Sequence, residues 1–133
     1  MTLRKFLHEL RRVDSWLIAP AVLIVIFGEL THLSAVTALE SVVWDKALHF
    51  TAYFGLSLMT TFAVRRKRHA WWAALGLVLL GGSLEIIQGY TGRDADIFDE
   101  LANAFGVLSG LGFGFAALAV LKARNLVDDN DRD

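Results

Sequence analysis

The stretch that decides the fold is AWWAALGLVLLGGSLEIIQGY (70–90), TGRDADIFDE (91–100), LANAFGVLSGLGFGFAALAVL (101–121). Two apolar runs flank a polar hinge. Each is near the ~20 residues a helix needs to cross a ~30 Å hydrocarbon core. Two further runs precede them, at 16–33 and 47–64. Only helices and closed barrels cross lipid without stranding backbone polar groups. These runs are too long and too continuously apolar for alternating barrel strands. None shows the charged outer face of a helix in a soluble bundle. The expectation is an all-α membrane protein, a four-helix transmembrane bundle.

Composition agrees. Hydrophobic residues make up 55% of the 133 and charged residues only 20%, which excludes disorder except at the ends. The length suits one domain. A net charge of −1 gives no attraction to nucleic acid. The absence of cysteine excludes a disulfide framework, a cysteine zinc site and a thiol nucleophile.

Charges between the runs set the orientation. Arg4, Lys5, Arg11 and Arg12 precede the first run, and Arg65, Arg66, Lys67 and Arg68 separate the second from the third. Lys122, Arg124 and Arg132 follow the fourth, whereas the alternate loops carry only Lys46 and Arg93. The positive-inside rule places both termini in the cytoplasm, so a multi-pass membrane protein, N-in/C-in, is expected. The less favoured alternative makes the first run a signal peptide, with an apolar core at 17–27 and a small-residue site at Val36-Thr37-Ala38. Residues 1–12 place Leu3, Phe6, Leu7 and Leu10 on one face, which predicts a short amphipathic helix on the inner leaflet. The transmembrane domain is then 1–124, and 125–133 form an acidic, solvated cytoplasmic tail.

On this topology the polar residues gather at the outer face. Asp45, Lys46, His49 and Tyr53 open the second helix, and Asp45, His49 and Tyr53 share a face at spacing four. Glu85 and Gln88 close the third. Arg93, Asp94, Asp96, Asp99 and Glu100 fill the hinge, and Asn103 opens the fourth helix. Glu85 sits about five residues inside the membrane end and needs a partner, with Arg93, His49 and Lys46 as candidates. The helix starts there point their positive ends outward, and Arg93 can grip a carboxylate or phosphate in two-pronged fashion.

Each feature has a sharp and a plain reading. Asp45 and His49 form an acid–base pair or half a metal site, or simply a hydrogen bond that locks the helix start. Glu85 with Arg93 is a ligand clamp or a structural ion pair. Asp96 caps the fourth helix, with Asp99 at its third position. Asn103 bonds between helices. Glu29 and His32 reach toward headgroups. Asp45, His49, Glu85, Asp96 and Asp99 carry donors that suit Mg, Mn or Zn, but their spacing matches no dedicated motif, so no metal and no cofactor is expected. Gly106, Gly110 and Gly114 form a small-residue stripe for packing within the bundle, with a homodimer as the second reading. Trp16, Trp44, Trp71 and Trp72 suit interfacial aromatic belts.

Two motifs resemble those of the VanZ-like family of small membrane proteins. They are Asp45-Lys46-x-x-His49-x-x-x-Tyr53-x-x-Leu56 and Glu85-x-x-Gln88-x-x-x-x-Arg93-x-x-Asp96-x-x-Asp99-x-x-x-Asn103-x-x-Gly106. The resemblance spans about residues 45–115 and implies a place in a bacterial cytoplasmic (inner) membrane near cell-envelope chemistry, with a link to glycopeptide susceptibility. It supplies no reaction. The expected function is therefore an outward-facing cleft that binds or modifies an anionic envelope amphiphile, a polyprenyl-phosphate-linked precursor or a phospholipid headgroup. Lys46, Tyr53, Gln88, Arg93 and Asn103 would bind it, and Asp45, His49, Glu85, Asp96 and Asp99 would serve as catalytic candidates. Partners are then membrane lipids and such a precursor. The alternatives are a non-enzymatic subunit of envelope assembly and a small transporter.

Overall fold

The computed structural model describes residues 3–30, 42–64, 66–91 and 96–127. Those residues fold into four helices: α1 Leu3–Leu30, α2 Val42–Val64, α3 Lys67–Thr91 and α4 Ile97–Ala123. Among the described residues there is no strand.

Three segments are long and apolar enough to cross a membrane: Asp45–Val64, Lys67–Tyr90 and Ile97–Ala123. The apolar part of α1, Ser15–Leu30, is shorter. Among the described residues three of the four expected spans are thus shown by length and composition. The amphipathic segment at the N-terminus is not a separate helix, because α1 runs unbroken for 28 residues. Nothing between Arg12 and Ser15 breaks a helix, and the one proline, Pro20, lies inside α1.

Burial is inverted relative to a water-soluble bundle. His49, Ser57, Thr61, Glu85, Gln88, Asp99 and Asn103 are buried. Leu23, Ile24, Phe27, Leu79, Ile86, Phe105 and Phe113 are exposed. So continuous an apolar surface fits lipid and not water. Trp16, Trp71 and Trp72 also face outward. Hydroxyls within the spans are satisfied locally: Thr60 Oγ1 donates to the Leu56 carbonyl at 2.6 Å, and Ser83 Oγ donates to that of Leu79 at 2.6 Å.

The closest helix pair is α2 with α4, and the glycine stripe explains it. A Cβ on Gly106 would lie 2.4 Å from the Phe50 carbonyl oxygen, and one on Gly110 would lie 2.4 Å from that of Phe54. Such distances are far below contact, so only glycine lets the two backbones meet. Gly114 makes room for the Thr61 side chain, whose Cγ2 would lie 2.7 Å from a Cβ there. Ser57 Oγ donates across the pair to the Val107 carbonyl at 2.8 Å. The stripe is thus covered within one chain. α1 packs mainly on α2, and α3 packs on α4 and α2.

α4 is bounded by caps at both ends. Asp96 is the N-cap, and its carboxylate accepts from the Phe98 N–H at 2.9 Å. At the other end Leu126 N–H donates to the Leu121 carbonyl at 3.0 Å and Asn125 N–H to that of Lys122 at 2.9 Å. Asn125 has φ 54°. This is a Schellman termination with asparagine in the left-handed position. Val127 is buried behind it.

Candidate functional site

The polar groups meet where α1 and α3 end and α2 and α4 begin. Lys46, in the first turns of α2, donates to Asp96 Oδ2 at 2.6 Å and to Asp99 Oδ1 at 2.7 Å. Both acceptors belong to the first turn of α4, where carboxylates also favour the positive end of the helix dipole. The Lys46 ammonium first, and the Phe98 N–H second, hold the Asp96 carboxyl below the usual carboxylate range. Glu85 on α3 accepts from the backbone N–H of Asp96. The acidic residue inside α3 therefore finds its partner in the unpaired backbone at the start of α4. Lys46 is held by Asp96 and Asp99 instead, and Arg93 and Asp94 lie outside the described residues.

One turn further along α2, His49 is buried. Its Nδ1 lies 3.0 Å from Asn103 Oδ1. Asn103 is fully buried, and its Nδ2 donates to Glu100 Oε2 at 3.3 Å. That bond orients the amide, so its oxygen faces the imidazole and Nδ1 carries the proton. Glu29 Oε1, 3.7 Å from Nδ1, favours the same tautomer. On the other side of the ring, Nε2 is 3.9 Å from Asp45 Oδ1, too far for a hydrogen bond. Asp45 and His49 are adjacent, yet they are not an assembled hydrogen-bonded acid–base pair.

Glu29 is the main departure from the expected placement. Its side chain is only 10% exposed and belongs to the cluster, not to the headgroups. Gln88 Nε2 ties the same turn of α1 to α3 by donating to the Glu29 carbonyl at 2.8 Å. His32 lies outside the described residues. Tyr53, entirely buried, lies one turn below His49, and its hydroxyl has no hydrogen bond of normal geometry. Gly81 makes room here: a Cβ on it would sit 2.7 Å from Glu100 Oε2, 2.8 Å from Asn103 Nδ2 and 3.2 Å from Tyr53 Oη.

Asp45, Lys46, His49, Tyr53, Glu85, Gln88, Asp96, Asp99 and Asn103 are thus gathered at one end, joined by Glu29 and Glu100. Sequence reasoning assigned neither of the last two a role in the site. The signal for Glu100 is its i, i+3 spacing from Asn103; for Glu29 it is an acidic group at the close of an apolar run. Among the described residues the cluster holds six carboxyl groups, Glu29, Asp45, Glu85, Asp96, Asp99 and Glu100, against the single ammonium of Lys46.

Comparison with family models, with curated proteins and with solved structures finds no match to this chain. The likeness to VanZ-like proteins rests on the two motifs alone.

Proposed function

We propose that the chain is a multi-pass protein of a bacterial cytoplasmic membrane, VanZ-like, with both termini inside and a polar cleft at the outer face that binds or modifies the headgroup of an envelope amphiphile. In this reading α1 completes a four-helix transmembrane bundle. The observation that carries it is the convergence of ionisable groups from all four helices at one end of three membrane-length segments. Ionisable groups within spans are costly unless they serve a pathway or a site. The two helix starts of α2 and α4, together with Arg93, are the groups that would meet an anionic headgroup, a polyprenyl phosphate or a phospholipid. His49 with Asp45 and Glu85 are the acid–base candidates in a partly dry site.

The test is binding and turnover of labelled polyprenyl phosphate and phospholipids by the purified protein in lipid nanodiscs. Selective binding that Arg93→Ala and His49→Ala each weaken supports the reading. Wild-type behaviour of both variants with every lipid overturns it.

A second reading is favoured by how completely these groups bond one another. Lys46 with two carboxylates, Glu85 with a backbone N–H and Gln88 with a backbone carbonyl are what a structural lock requires. The chain would then be a non-enzymatic subunit of envelope assembly. Glu85→Gln separates the two: loss of folding in detergent favours the lock, whereas a folded variant that no longer binds lipid favours the cleft.

A further inference from the structure

We infer that Asp45, His49 and Asp99 form a binding site for one divalent transition cation, of the Zn2+ or Mn2+ kind. The inference goes beyond the headgroup reading and does not depend on it. The three side chains can each present one ligand atom within 4.8 Å of the others. Tetrahedral donors at ~2.1 Å from an ion are ~3.4 Å apart, so side-chain rotations that draw the ligand atoms together by roughly 1 Å close the set. One imidazole and two carboxylates suit these metals and leave coordination positions open.

The second observation is the orientation of His49. Its Nδ1–H is directed at Asn103 Oδ1 and lies near Glu29 Oε1, and Asn103 is itself oriented by Glu100. This leaves Nε2 turned toward Asp45 Oδ1 at 3.9 Å, too far for a hydrogen bond and on the side where a cation would sit. Metal-ligating histidines are held in this way, with the other ring nitrogen donating to an amide or carboxylate behind it. Charge points the same way. A cation between Asp45 and Asp99 would lie between two carboxylates and be attracted by both. Lys46 competes for it, since its ammonium sits on Asp99 Oδ1 at 2.7 Å. A bound cation would also add positive charge to a carboxylate-rich cleft that faces an anionic headgroup.

The test titrates the purified wild-type chain in detergent with ZnCl2 and, separately, MnCl2. One equivalent of Mn2+ per chain, displaced by Zn2+, with imidazole-nitrogen coupling in its pulsed EPR spectrum, is the expected result. Asp45→Asn and His49→Ala lose that equivalent, and Asn103→Leu weakens it about 10–100-fold through the orientation of the ring. Lys46→Met tightens it. His69→Ala, exposed at the start of α3, leaves it unchanged. Absence of a saturable equivalent, bound Mn2+ without nitrogen coupling, or His49→Ala binding as tightly as His69→Ala overturns the assignment. The wild-type spectrum decides the matter even where a variant fails to fold. No lipid enters the measurement, so its outcome is independent of the headgroup test.

Discussion

His49 and Asn103 show how a single buried pair fixes chemistry at the residue scale. Asn103 is fully buried and His49 nearly so, so their polar atoms depend chiefly on protein neighbours. Replacing Asn103 with leucine leaves the Nδ1–H of His49 without its acceptor, and a loss of about 1–3 kcal/mol is expected in reversible unfolding in detergent. Asp96 makes a prediction about pH. Its carboxyl is held low by Lys46 and by the Phe98 N–H. A depressed carboxylate stabilises the fold fully above its unfolded value of about 4 and loses that contribution as the pH falls through the lower, folded value. Asp96→Asn keeps a good N-cap while removing the charge. The gap in thermal midpoint between wild type and this variant should stay constant from pH 7 to about 5 and shrink below about 4. A gap unchanged down to pH 2 would contradict the Lys46–Asp96 pairing.

At the scale of elements, the contact of α2 with α4 is the most demanding. Gly106 and Gly110 face carbonyl oxygens of α2 at distances no Cβ tolerates. Gly106→Ala should push the helices apart and destabilise by about 1–3 kcal/mol, measured as a lowered midpoint in detergent. Gly112 has nothing within 4 Å of a Cβ, so Gly112→Ala on the same helix should leave the midpoint unchanged or raise it. The C-terminal cap of α4 adds a third substitution. Asn125 holds a left-handed backbone, and Asn125→Val should cost roughly 1–2 kcal/mol, whereas Asn125→Gly should be close to neutral. The stripe and the N-cap of α4 were both legible from spacing. The Schellman turn was not, because its signal is one asparagine in a stretch whose acidic composition suggests a solvated tail.

Across the whole molecule the governing feature is inverted burial, with phenylalanine, leucine and isoleucine outside and the charged cluster within. This arrangement fits a lipid environment. Because the chain has no cysteine, single substitutions report orientation cleanly. Arg68 at the start of α3 and Ile97 at the start of α4 are both exposed, with a membrane-length helix between them. Under the proposed topology Arg68→Cys reacts with an impermeant maleimide from the cytoplasmic side only and Ile97→Cys from the outer side only. Labelling of both from one side would refute that topology.

The sequence alone determined that the described chain is helical, that long apolar segments alternate with charged hinges, and where α4 is capped. Such properties follow from composition and periodicity, because a backbone in lipid must bond to itself and a helix start needs a side-chain acceptor. Tertiary structure alone decided the pairings. Lys46 engages Asp96 and Asp99, Glu85 engages a backbone N–H, and Glu29 joins His49 instead of the headgroups. Spacing within one helix tells which residues share a face, but it is silent on which face meets which. That depends on the register at which glycines let two backbones touch, and on competition among carboxylates for one lysine and a few unpaired N–H groups.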